Sequence, residues 1–110
     1  MEANEYQALA MRTANHECLD LSNLGLGLTS EAGKCANFIK KHLHHGHELS
    51  KDKLLHGLGD VLWYVALGCQ VLDVPMSDVM KMNLTKLQDR YPDGFDKEIS
   101  KSVSGGERYE

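Results

Sequence analysis

Two short segments, Glu31-Ala32-Gly33-Lys34 and Gly57-Leu58-Gly59-Asp60, hold the residues best placed to do chemistry. Both lie in stretches with helical periodicity, and residues three apart on a helix share a face. Two such helices packed antiparallel point four side chains into one space. Four carboxylates there would bind hard divalent cations. Mg²⁺ takes oxygen ligands in an octahedron and leaves places for water or substrate phosphates. Ions held in this way clamp a triphosphate and activate a water for attack. Glu31 and Asp60 are the acidic members of the two segments.

The elements that must position them follow from apolar spacing. Tyr6, Leu9, Ala10, Thr13 and Ala14 recur at helical intervals and predict a first helix over 4–20, with a break around 23–27. A second helix is expected over 29–44, capped by Thr29 or Ser30 and lined on its inner side by Leu28, Ala32, Cys35, Ala36, Ile39 and Leu43. Ser50 caps a third over 51–72. Its second half is apolar nearly all round, so it must be covered on every side, in part by a partner subunit. Pro75 breaks the chain, Ser77 caps a fourth helix over 77–90, and Tyr91-Pro92-Asp93-Gly94-Phe95 is a turn. The expected organisation is one helical domain over 1–98 and a flexible tail over 99–110, rich in Ser, Gly and charge.

The 110 residues carry a formal net charge of -4, with no basic stripe. That argues against a partner made of nucleic acid polymer, which needs clustered Lys and Arg. A small anionic ligand needs only one local cationic pocket. The three cysteines are widely spaced and odd in number, so neither a disulfide framework nor a thiolate zinc site is expected. With no apolar leader and an apolar run of only Val61 to Cys69, the chain reads as cytoplasmic, with no membrane partner.

In order and spacing the motifs resemble the MazG-like nucleotide pyrophosphohydrolases, of the all-α NTP pyrophosphatase group. The matching pieces are Asn4-Glu5-Tyr6-Gln7, Gly27-Leu28-Thr29-Ser30-Glu31-Ala32-Gly33, Ile39-Lys40-Lys41, Leu58-Gly59-Asp60-Val61-Leu62-Trp63-Tyr64, Asn83-Leu84-Thr85-Lys86-Leu87 and Arg90-Tyr91-Pro92-Asp93-Gly94-Phe95. The resemblance implies an all-α, four-helix MazG-like bundle assembled as a homodimer or dimer of dimers. It also implies Mg²⁺-dependent cleavage of a nucleoside triphosphate to a monophosphate and pyrophosphate. By the same resemblance Glu31 and Asp60 are the catalytic metal ligands, and Lys40, Lys41, Asn83, Lys86 and Arg90 match positions that contact phosphate and ribose. Of these, Lys41 reads as solvated surface.

The family's ligands are a Glu-x-x-Glu pair and a Glu-x-x-Asp pair, and here the sequence departs. Lys34 and Gly57 stand where two of the four carboxylates belong. Glu31, Lys34 and Asp60 together offer minus one where four carboxylates would offer minus four. Two unit charges ~4 Å apart at an effective dielectric of ~20 interact by ~4 kcal/mol, so the exchange of attraction for repulsion is large. Two readings follow: a pyrophosphohydrolase with a degenerate Mg²⁺ site and weak activity, or an inactive nucleotide-binding or oligomerisation module of the same fold. Asn37, Glu48 and Asn83 are the oxygen-bearing candidates for replacing a lost ligand.

Other groups read as structural. Trp63 sits in an apolar helix, where packing outweighs base stacking. His42, His44, His45 and His47 form a loop cluster without assured convergence on a metal. Cys35 and His56 suggest a nucleophile and base but lack a third, orienting residue. Gly27 to Lys34 fails as a phosphate-binding loop, because Ala32 replaces its second glycine and Cys35 its Ser or Thr.

Overall fold

The computed structural model describes residues 1–102, and every regular element among them is helical. In chain order these are α1 (Ala3–Met11), a 3₁₀ turn (His16–Cys18), α2 (Leu21–His44), α3 (Lys51–Val71), α4 (Met76–Arg90) and α5 (Lys97–Ser102). The chain divides into two units, Met1–Met76 and Ser77–Glu110. The all-α expectation holds, and the bounds of the third and fourth helices fall within a residue of those expected.

The first two helices differ from expectation. α1 stops at Met11 instead of reaching residue 20, because Ala10 loses its carbonyl to other donors. The Thr13 hydroxyl donates to it at 2.7 Å and the Trp63 indole N–H at 3.2 Å. Ala14 N–H turns back to Met11 instead, at 3.1 Å. Asn15 then caps the 3₁₀ turn by accepting from Glu17 N–H. α2 begins at Leu21, eight residues before the expected 29, because Asp20 caps it. The Asp20 carboxylate accepts from Asn23 N–H at 2.7 Å and from the Ser22 hydroxyl at 2.9 Å.

Gly25 and Gly27 therefore lie inside α2, where the expected break was. An interior helical glycine costs about 1 kcal/mol against alanine. At Gly27 the reason is plain: the Tyr64 ring of α3 occupies the place a Cβ would take.

The first unit is built on the antiparallel pair of α2 and α3, with α1 packed against α3. Its core is small: Ala10, Ala66, Cys69 and Met76 are buried together, with Tyr6, Met11, Trp63, Val65 and Val74 against them. Leu67, close by, is fully buried. α3 ends on an αL cap in which Asp73 takes φ 57°, with Asp73 N–H bonded to Gln70 O and Val74 N–H to Cys69 O. Buried Gln7 of α1 fastens that cap. Its amide donates to Val74 O at 3.1 Å and accepts from Met76 N–H at 2.6 Å. In the second half of α3, where cover by a partner was expected, Ala66, Leu67, Gly68 and Cys69 are buried within this chain and Leu62 stays exposed, while Leu55 and Leu58 are exposed in the first half.

In the second unit, α4 is followed by a turn closed by Gly94 N–H on Tyr91 O, with Gly94 at φ 92°. The Tyr91 and Phe95 rings sit 5.5 Å apart. Asp96 caps α5 through Glu98 N–H at 2.8 Å. The flexible tail was expected from residue 99, yet Ile99–Ser102 close α5. The remainder of that expectation lies outside the described residues.

Candidate functional site

Three contacts fix how α2 and α3 run past one another: Leu24 meets Gly68, the Tyr64 ring meets Gly27, and Cys35 Sγ meets Gly57. Position 31 lies halfway between 27 and 35. It is therefore level with positions 60 and 61, halfway between 57 and 64. The hairpin thus brings Glu31 and Asp60 to one level, as the two segments require.

The two carboxylates have different surroundings. The Glu31 side chain is only 15% exposed; its Oε1 accepts from Lys34 Nζ at 3.3 Å. Its Oε2 is buried with no hydrogen-bonding partner. Lys34, one turn on, leaves 62% of its side chain in solvent. Asp60 is exposed. It lies close enough to Tyr6 of α1 that its charge, after burial, helps hold the Tyr6 phenol above its ordinary pKa.

Gly57 brings no donor and has no room for one. A Cβ there would stand 2.6 Å from Cys35 Sγ, inside van der Waals contact. Cys35, which the sequence offered as a nucleophile, is a packing group against this glycine. Apolar spacing had placed Cys35 on the inner side of its helix, but its neighbour was not legible, because that glycine comes from another helix.

Lys40 is exposed on α2, nine residues and about 13 Å of helix beyond Glu31. Asn83, Lys86 and Arg90 all lie on α4 in the second unit, where spacings of three and four stack them on one face. Asn37 is half-buried further along α2, and Glu48 is in the loop after it, about 20 Å of helix from the level of Glu31.

The other groups have local roles. Trp63 donates its indole N–H to Thr13 Oγ1 at 2.8 Å and meets Tyr64 edge-on at 5.0 Å. Its polar handle is used for packing. In the histidine loop, His42 Nδ1 lies 2.8 Å from His47 O, a hydrogen bond that closes the turn at Gly46. Among the described residues, no three His, Cys, Asp or Glu side chains converge as metal ligands do.

The donor chemistry can be tested against a divalent cation. Glu31 Oε2 is a hard acceptor without a donor, which favours a cation. An ammonium already sits on the other oxygen of the same carboxylate, and Gly57 supplies nothing. Mg²⁺ prefers hard oxygen ligands in a near-ideal octahedron, and two carboxylates beside a fixed positive charge are a poor match. The residues present do not fit the family's metal cluster. What they form is a half-buried carboxylate topped by a tethered ammonium.

Residues 20–95 match the family model described as MazG nucleotide pyrophosphohydrolase domain. The chain is also 39% identical over 101 residues to the Gene 37 protein of Mycobacterium phage L5, covering 82% of this chain and 89% of that one. No solved structure shows a significant match. With more than half of its length under that model, the chain belongs to the MazG nucleotide pyrophosphohydrolase family.

Proposed function

We propose that this chain is a nucleotide-binding, self-associating MazG protein in which metal-dependent pyrophosphohydrolysis is crippled. The observation that carries the reading is the Lys34 ammonium on Glu31 Oε1, at the level where the acidic cleft should hold its cations. Membership of a nucleotide pyrophosphohydrolase family supports a nucleoside triphosphate as the ligand. By resemblance to the family, Lys40 in the first unit and, separately, Asn83, Lys86 and Arg90 on α4 are candidates for contacts to phosphate and sugar. Glu31 serves to anchor Lys34, and Asp60 shares its level.

Self-association is supported by an uncovered apolar surface. At ~100° per residue, Leu55, Leu58 and Leu62 form a stripe on α3 about 120° from the side that meets α2. It is also well away from the Trp63 side that meets α1. Ala32, Ile39 and Leu43 make a matching exposed row on α2. A second copy of the chain is the occupant assigned to this surface.

One observation favours the other reading, slow Mg²⁺-dependent cleavage with Glu31 and Asp60 as the ligands: the buried, partnerless Glu31 Oε2. A pyrophosphate-release assay over the ribo- and deoxyribonucleoside triphosphates separates the two. The expected rate with Mg²⁺ equals that of a metal-free control, even at high protein concentration. Sustained turnover above that control would end the claim that cleavage is crippled.

A further inference from the structure

We propose that the Lys34 ammonium is the cation against which nucleotide phosphates are held, so that this chain takes its nucleotide in the metal-free form. The inference rests on the nucleotide-binding reading above and goes further, by naming the form of the ligand and the residue that selects it.

The geometry orders the two charges. Glu31 is the deeper group and Lys34 the outer one, with 15% and 62% of their side chains exposed. An anion approaching on the Lys34 side therefore meets the ammonium before the Glu31 carboxylate, with the exposed Asp60 at the same level. The 3.3 Å contact with Glu31 Oε1 places the Lys34 ammonium beside that carboxylate. An ammonium has three N–H donors. One is spent on Glu31, which leaves two for phosphate oxygens.

The same contact works against a divalent ion. A cation seeking Glu31 must displace Lys34 or sit beside it against like-charge repulsion. Restoring a carboxylate at Gly57 is hindered as well, because Cys35 Sγ fills the space. A nucleotide that brings its own Mg²⁺ arrives with part of its phosphate charge neutralised and gains less from Lys34. Lys34 and Mg²⁺ are competitors for the same oxygens.

The test is calorimetric titration of the full chain with the eight common ribo- and deoxyribonucleoside triphosphates, once in EDTA and once in excess Mg²⁺. At least one nucleotide should bind in EDTA, and Mg²⁺ should not tighten it. Lys34→Gln, at an exposed position that leaves the fold intact by thermal melting, should weaken the EDTA affinity about tenfold, the value of one charge-assisted hydrogen bond. Binding that requires Mg²⁺, or that ignores Lys34→Gln, overturns this inference and leaves the nucleotide-binding reading standing. No binding in either buffer overturns both.

Discussion

Gly57 approaches α2 so closely that any side chain there must push on Cys35 Sγ. Two opposed effects then meet at one residue. Alanine is favoured over glycine in a helix interior by about 1 kcal/mol, whereas overpacking a tight contact costs about 1–3 kcal/mol. A thiol ends a short side chain and can turn only partly aside, which places the cost near the middle of that range, about 2 kcal/mol. Gly57→Ala should therefore lower unfolding free energy by about 1 kcal/mol. In a Cys35→Ala background the same change should be neutral or stabilising. Urea unfolding of the four proteins checks this, and strictly additive effects would remove the contact from the account. The glycine itself was legible in the sequence as a departure from an acidic pattern. Its physical reason was not, because the cysteine that opposes it lies 22 positions away on another helix.

At the scale of the element, helix α2 shows where periodicity succeeds and where it misleads. The repeat visible from Leu28 onward gave the helix, but of its expected inner side Ala32, Ala36, Ile39 and Leu43 are exposed, and the register against α3 is set by Leu24, Gly27 and Cys35. Its start was misplaced because Gly25 and Gly27 read as a break. In the fold Gly27 is the seat of the Tyr64 ring, a need set by packing that a one-dimensional pattern does not carry. The actual start is fixed by Asp20, whose carboxyl is held below its usual pKa first by the Asn23 N–H and then by the Ser22 hydroxyl. A carboxyl with a lowered folded-state pKa stabilises above its unfolded pKa, and that contribution fades as pH falls through the folded value. Wild type and Asp20→Ala should therefore differ in melting temperature at neutral pH and converge at acid pH, below the ordinary carboxylate range. A difference that persists undiminished in acid would mean the cap does not act through its charge. Asn is the informative control, since it keeps the acceptor without titrating.

For the whole molecule, the question is what covers α3. α2 and α1 account for two sides of the helix, and the Leu55, Leu58 and Leu62 stripe for the third. Three leucines at these spacings, with no charge among them, suit the seam of the proposed helix pair, and the exposed row on α2 broadens that surface. So small a buried core makes a free-standing chain of this length marginal, which adds a stability argument to the geometric one. A stable homodimer needs about 800 Å² from each partner, within reach of two long helices laid side by side. Burying a glutamate in such a seam leaves an unpaired charge in apolar surroundings, a cost of several kcal/mol per site that appears twice in a symmetric dimer. Leu58→Glu and Leu62→Glu, separately, should therefore shift the protein from dimer or larger to monomer in sedimentation equilibrium. Ser30→Glu, on an exposed part of α2 roughly opposite the apolar row, should leave the association unchanged. If the wild-type chain sediments as a monomer at micromolar concentration, the stripe is not a self-association surface. If the leucine variants remain associated as the Ser30 variant does, self-association runs through some other face.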